Sequence, residues 1–199
     1  MNAKIFFDSI RHNVFGGKLL QSQVDGINAI LSEWERQGRF DLGWLAYILA
    51  TTYHETARTM EPIEEYGKGK NYDYGKKLKM GKGPGKRIPY TEPDKLYYGR
   101  GLVQVTWYEN YERLTKAASK FDKSWNFLNN PELLLEMEPS IWATFYGMRT
   151  GLFTGRKLSE FFNDDKTDWV NARKIINGHD CADKIAGIAV KFYTALCAE

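Results

Sequence analysis

Cysteine is nearly absent: Cys181 and Cys197 are the only two, and they form no CxxC or other metal-ligand spacing. So low a count excludes a disulfide framework, and two free thiols are expected, as in a chain made in a reducing cytoplasm. Histidine is equally scarce, with His12, His54 and His179. His54-Glu55 begins like the H-E-x-x-H zinc signature, but position 58 is Arg58, so the second helical ligand is missing and no metal site is expected. No apolar run reaches the ~18 residues of a membrane-spanning helix, so no membrane insertion is expected. Lys4, Asp8 and Arg11 interrupt the N-terminal run before it attains the length of a signal-peptide core, so no export signal is expected. Nor does one sign of charge prevail: 28 Lys and Arg face 25 Asp and Glu, a net +3, which by composition alone does not indicate a nucleic-acid binder.

What the 199 residues do contain is core material. Apolar residues make up 43% and charged residues 27%, and there are 6 Trp, 12 Tyr and 11 Phe. That balance is typical of a globular chain, and the expectation is one catalytic-sized domain spanning residues 1–199, or two small lobes around a cleft. Val24, Ile27, Ile30, Leu31 and Trp34 recur at helical spacing over Gln23 to Gln37, with Ser22 as a cap and Gly38 as a stop. Asp41 caps a second helix striped by Leu42, Leu45, Ile48, Leu49 and Thr52, which runs into His54 and Glu55. Thr106 and Glu109 read as a T-x-x-E capping box opening a helix to about Ser119. Further helices are expected near 139–150, 157–162, 168–176 and 182–197, with short strands at 102–105 and 87–90. The fold class is mainly α with a small β-hairpin or minor sheet.

Between Tyr66 and Tyr90 the composition changes abruptly, to six glycines, two prolines and eight Lys and Arg against the single Asp73. Glycine-lysine runs cannot bury a core, so this basic loop reads as a solvated insertion. It alone accounts for the slight basicity of the whole chain.

Carboxylates cluster just before it. Glu55, Glu61, Glu64 and Glu65 lie within eleven residues, and paired carboxylates are the working parts of a glycosidase. In one continuous helix, Glu55 and Glu64 would be about 13.5 Å apart along the axis, beyond the roughly 6.5–9.5 Å of an inverting pair. Pro62 disfavours helix at Glu61, so the chain is expected to turn there and bring the second carboxylate back. One carboxyl at a helix end near Tyr53 and Met60 then keeps its proton while a more solvated partner stays ionised. The stretch from Tyr97 to Tyr111 is rich in rings, amides and hydroxyls of the kind that bind sugars.

Four segments together resemble glycoside hydrolase family 19, the chitinases and phage endolysins of lysozyme-like fold. They are His54-Glu55-Thr56 at a helix end, the glutamate nine residues later, the run YYGRGLVQVT from Tyr97 to Thr106 followed by Asn110-Tyr111, and Ile175-Ile176-Asn177-Gly178. Their order and spacing cover most of the chain. The resemblance implies a lysozyme-like helical fold with a substrate cleft, Glu55 as general acid, Glu64 as the base that activates water, and Thr106 helping to hold that water, with Glu65 the alternative base. It makes Gln104, Asn110 and Asn177 contacts to sugar or supports for the carboxylates, and His54 and Tyr98 walls of the cleft.

Two departures stand out. The family commonly follows the first glutamate with a small residue and two glycines, where this chain has Thr56, Ala57 and Arg58. An arginine common after the fourth segment is missing, and Lys184 is the nearest cation there. The implied activity is hydrolysis of β-1,4 links in peptidoglycan by an inverting mechanism, without metal or organic cofactor, with chitin as the alternative polysaccharide substrate and a non-catalytic glycan-binding module as a further alternative. A monomer acting at the bacterial cell wall, in the periplasm if it is an endolysin, completes the expectation.

Overall fold

The computed structural model describes residues 2–38 and 41–198. Along the chain run α1 (Ala3–Asn13), α2 (Gln21–Arg36), α3 (Leu42–Glu55), β1 (Ile63–Glu64), β2 (Leu78–Met80), β3 (Arg87–Pro89), β4 (Arg100–Gly101), α4 (Tyr108–Ser119), α5 (Met137–Thr150), β5 (Phe162–Asn163), β6 (Lys166–Thr167) and α6 (Ala182–Leu196). The fold among the described residues is therefore mainly α, with three two-stranded antiparallel sheets, β1–β4, β2–β3 and β5–β6. None of these helices is long and apolar enough to cross a membrane. Two compact units form, one from residues 1–61 with 144–199 and one from 62–143.

The first unit is built on α3. Asp41 caps it as expected, its carboxylate accepting from the Gly43 amide at 2.5 Å. From Leu45 to Tyr53 every residue is buried, so this helix is apolar all round rather than striped. It packs against α6, which also contacts α1. The N-terminal helix α1, which the sequence reading left unassigned, is capped by Asn2, whose side chain accepts from the amides of Lys4 and Ile5, and it buries Phe6 and Ile10. On α2, Ser22 does not cap: the helix starts two residues earlier than expected, at Gln21, and the Gln23 carboxamide oxygen accepts from the Leu20 amide at 2.8 Å.

Two expected helices are single 3-10 turns, at Leu158–Glu160 and Asn171–Ile175. In the second, the Asp168 carboxylate accepts from the Asn171 amide at 3.0 Å, a three-residue closure that suits the tighter turn. Cys181 and Cys197 are both exposed free thiols.

The second unit is held by rings rather than by long helices. Tyr97 meets Tyr90, Tyr108 and Tyr111 at ring-centroid distances of 5.7, 5.3 and 4.9 Å, and Phe127 stacks on Trp142. The basic segment is more ordered than a solvated insertion. Leu78, Lys79 and Met80 pair antiparallel with Pro89, Ile88 and Arg87, and the turn is closed by Gly81 donating to the Lys86 carbonyl. Four of its cations have acidic partners: Lys68 with Glu64, Lys76 with Asp73, Lys77 with Asp94 and Arg87 with Glu109.

The expected strand at 102–105 is instead a tight turn. Gly101 and Gln104 both have positive φ, +87° and 52°, and the amide of Val105 returns to the carbonyl of Arg100 at 2.9 Å. A side chain on Gly101 would meet Ser140 Oγ at 2.7 Å, so the turn needs glycine for space as well as for φ. Nor does Thr106 cap α4. The residue before the helix is Trp107 at φ 73°, with no side-chain capping bond, and Glu109 turns instead to Arg87.

Candidate active site

In the first unit, α3 ends at Glu55 and delivers its carboxylate to Arg173. The Nη1 of that arginine donates to Glu55 Oε1 at 2.6 Å; the guanidinium side chain is only 3% exposed and the carboxylate side chain 15%. Arg173 is itself fixed, its Nε donating to the Asp180 carbonyl at 2.9 Å. No arginine follows residues 175–178, where Lys184 is the nearest cation; the cation that meets Glu55 lies two residues before them, in the 3-10 turn Asn171–Ile175. The apolar neighbours expected for Glu55 are occupied elsewhere: the Tyr53 hydroxyl donates to the Val14 carbonyl and Met60 packs on Gly26.

His54, half-buried beside Glu55, is held below the usual histidine range, chiefly by burial, with Glu55 opposing and Arg173 reinforcing the shift. The Tyr47 hydroxyl, buried without a hydrogen-bond partner, is pushed far up by burial, so it keeps its proton. Asn177 is exposed, and its carboxamide accepts from the Gly178 amide at 2.8 Å.

After Glu55 the chain leaves the helix at once, earlier than the turn expected at Pro62. Ala57, Arg58 and Met60 all have positive φ, 49°, 75° and 61°. Residues 57 and 58 are the positions where the resembled family commonly has glycines, so the left-handed backbone is present without the residues that adopt it freely. Tertiary contacts hold it: Gln23 Nε2 donates to the Arg58 carbonyl at 2.9 Å, and Gly26 admits the Met60 carbonyl where a Cβ would sit only 2.1 Å away.

In the second unit, Glu64 lies on β1 opposite Arg100 of β4. Tyr98 donates its hydroxyl to Glu64 Oε2 at 2.9 Å and Lys68 approaches Oε1 at 3.0 Å, while the carboxylate side chain stays 38% exposed. These bonds, that from Lys68 first, hold Glu64 below the usual carboxylate range, so it is ionised at neutral pH. Tyr98 is raised, by burial first and then by its bond to Glu64, so it stays a donor. Arg100 sits 3.7 Å over the Tyr98 ring and donates to the Leu96 carbonyl at 2.9 Å.

Glu65 points into a different set of partners. Its Oε1 accepts from Tyr74 at 3.1 Å and its Oε2 from the Gly99 amide at 3.1 Å, so both oxygens serve the local fold. Gln104 donates to the carbonyls of Ile63 and Gly101 at 3.0 and 3.1 Å, bracing the strand that carries Glu64. Asn110 is buried and donates to the Thr106 carbonyl at 2.9 Å. The Thr106 hydroxyl makes no hydrogen bond among the described residues.

The structure thus brings Glu55, His54 and Arg173 together in one unit, and Glu64, Tyr98 and Gln104 together in the other, with Thr106 and Asn110 linked in that second unit. Among the described residues no group of three or more His, Cys, Asp or Glu is placed to hold a metal ion. Compared with known proteins, the sequence matches no family model and no curated relative.

Proposed function

We propose that the chain is a glycoside hydrolase of lysozyme-like fold that cleaves β-1,4 links in peptidoglycan with inversion at the anomeric carbon. One observation supports this reading above the others. Each of the two candidate carboxylates is held by a side chain from, or beside, another of the four segments of the family-19 resemblance: Glu64 by Tyr98, and Glu55 by Arg173, two residues before Ile175. Segments far apart in sequence are joined at the groups the chemistry needs.

In the proposed reaction Glu55, which must give up its ion pair with Arg173 and take up a proton from solvent before each turnover, gives that proton to the leaving glycosidic oxygen as the C–O bond breaks. Glu64 takes a proton from the water that attacks the anomeric carbon from the opposite face. Glu64 suits the base role better than Glu65, because one of its two partners is the exposed, displaceable ammonium of Lys68, whereas Glu65 is held by the Tyr74 hydroxyl and the Gly99 backbone amide. The free hydroxyl of Thr106 is available to orient that water. Peptidoglycan is favoured over chitin by the basic segment 66–90, suited to an anionic envelope, and the site of action is then the bacterial cell wall.

The test is NMR of the first product released from purified murein sacculi, with chitin oligomers as the comparison substrate. An α-anomer from the β-linked strand is expected. A β-anomer would mean retention and remove the water-activating role of Glu64. No hydrolysis of either polymer would leave a glycan-binding module.

A further inference from the structure

Both oxygens of Glu64 have partners, and the two partners differ in kind. Oε2 accepts from Tyr98, a residue only 7% exposed whose ring lies under the Arg100 guanidinium at 3.7 Å. Oε1 meets the Lys68 ammonium at 3.0 Å, and that side chain is 60% exposed. Tyr98 is packed in place, whereas lysine carries a compact charge on a flexible stem, so Lys68 is the partner that can leave. While it stays on Oε1 it holds the carboxylate below its usual range, where Glu64 is the poorer base. Arg100, which faces Glu64 from β4, is buried with its guanidinium on the Leu96 carbonyl and does not compete for Oε1.

The backbone adds an independent observation. Lys68 stands between Gly67 and Gly69 at φ 47°, in the left-handed region that glycine adopts with least strain. Turn bonds keep it there: the Lys68 amide donates to the Glu65 carbonyl at 3.0 Å, and the Lys70 amide to the Gly67 carbonyl at 2.9 Å. An ion pair this exposed adds little to folding and does not offset the strain. A third glycine would make the same turn more easily. What Lys68 adds is an ammonium placed on the base.

We propose that Lys68 determines specificity by exchanging Glu64 for a carboxylate on the substrate, so that an anionic glycan uncovers the base and a neutral one does not. The proposal rests on the reading of the chain as a peptidoglycan hydrolase with Glu64 as base. The group it recognises is a carboxylate on the substituent of a sugar at the cleavage point, such as the free lactyl acid of a peptide-free murein strand. With that strand one ammonium–carboxylate pair replaces another. A chitin strand must separate the pair without a replacement.

Three probes of matched length test this: peptide-free murein strands with free lactyl carboxylates, the same strands amidated, and chitin oligomers. For the native chain at pH 7, kcat/KM should be at least ~5-fold higher on the free acid than on the amide. Lys68→Gln should bring that ratio close to one and raise turnover of chitin by up to ~5-fold, the worth of one exposed pair. Lys68→Arg, which keeps the charge, should restore most of the preference. The pH profile is a readout that a merely structural lysine would not move. The acid limb of kcat/KM on neutral chitin reports Glu64 in the free enzyme, with Lys68, Tyr98 and Arg100 around it. The acid limb of kcat on the free-acid strand reports the complex, from which the ammonium has moved away, and should lie at higher pH. Lys68→Gln should close that gap.

Binding of the same probes to the Glu55→Gln variant, followed by calorimetry, needs no turnover. A preference for the free acid that is lost in Glu55→Gln/Lys68→Gln supports the exchange even where no strand is cut, an outcome that rejects the hydrolase reading alone. Equal rates and equal binding for the free acid and the amide would overturn the proposal. So would a loss in Lys68→Gln that is the same on all three probes, which would make Lys68 only a support that keeps Glu64 ionised.

Discussion

The two units solve one problem, holding a carboxylate in place, by opposite means. Around Glu55 the solution is burial: an all-apolar helix, close helix packing, and a guanidinium taken almost wholly out of water. Around Glu64 it is a surface network, in which a two-residue strand, a phenol and an exposed lysine steady a carboxylate that still faces solvent. A buried ion pair has a stiff geometry and is costly to break, whereas an exposed pair is cheap and leaves its carboxylate free to exchange partners. In the proposed reaction the first arrangement fixes the orientation of Glu55, and the second leaves Glu64 open to water.

The sharpest way to break the comparison is Arg173→Ala. It strands Glu55 and frees the Asp180 carbonyl, so denaturant unfolding should show a loss of about 3–5 kcal/mol. Lys68→Ala, which removes the exposed partner of Glu64, should leave the unfolding midpoint almost unchanged by the same measurement. Equal losses would abolish the distinction between the units.

Activity should be lost from both sides. Glu55→Gln and Glu64→Gln are each expected to lower turnover of sacculi by roughly 10²–10⁴-fold, the usual worth of a general acid or base. Glu55→Gln retains an oxygen for Arg173 but leaves its buried charge without a counter-charge, so the fold should survive, as judged by circular dichroism, at a reduced stability. Glu65→Gln should behave in reverse, with a stability loss of about 1–2 kcal/mol through Tyr74 and Gly99 and a smaller loss of turnover. If Glu65→Gln abolished hydrolysis and Glu64→Gln did not, the base would be Glu65.

A pH series sharpens the contrast further. His54 is lowered in the folded state from its usual 6.5, so the unfolded chain takes up the proton first. Its contribution to stability is complete above about pH 6.5 and is lost as pH falls below that value. Glu64 is lowered as well, and its smaller, solvent-screened contribution is lost only as pH drops through the carboxylate range near 4.5. Thermal melts should therefore fall in two steps on acidification. His54→Gln should flatten the first step, whereas Glu64→Gln should only reduce the second, which Asp73, Asp94, Glu160 and Asp168, also held below the usual carboxylate range, share; a first step unchanged in His54→Gln would refute the assignment.

The smallest effect is expected at the left-handed turn after Glu55. Arg58→Gly relieves a positive φ that only glycine adopts freely, but it adds freedom to the unfolded chain, so a gain of no more than about 1 kcal/mol is expected in chemical unfolding. A clear loss would mean that the Arg58 side chain, 5.9 Å over the Tyr53 ring, matters more than its backbone strain.

The long helices were legible because their signals are local: Asp41 caps α3 through its own side chain, and the apolar spacing of α2 and α6 repeats over several turns. The N-terminal helix carries the same local signals, an Asn2 cap with Phe6 and Ile10 one turn apart. Of the hairpin at 78–89, the second strand is expected from the sequence at 87–90, but the first is not, because a three-residue strand in a glycine-lysine run carries almost no periodicity.

What the sequence determined by itself, then, is the helical class, the order of the four motif segments, and the identity of the carboxylates worth testing. These are properties of spacing along the chain. Which cation holds Glu55, which partners hold each of two adjacent glutamates, and whether Thr106 caps a helix or keeps a free hydroxyl were decided only by tertiary structure. The reason is physical. A hydrogen bond of 2.6 Å between residues 55 and 173 leaves no periodic mark on either segment, because it depends on how a 3-10 turn and a helix end approach each other in space rather than on any neighbour in sequence.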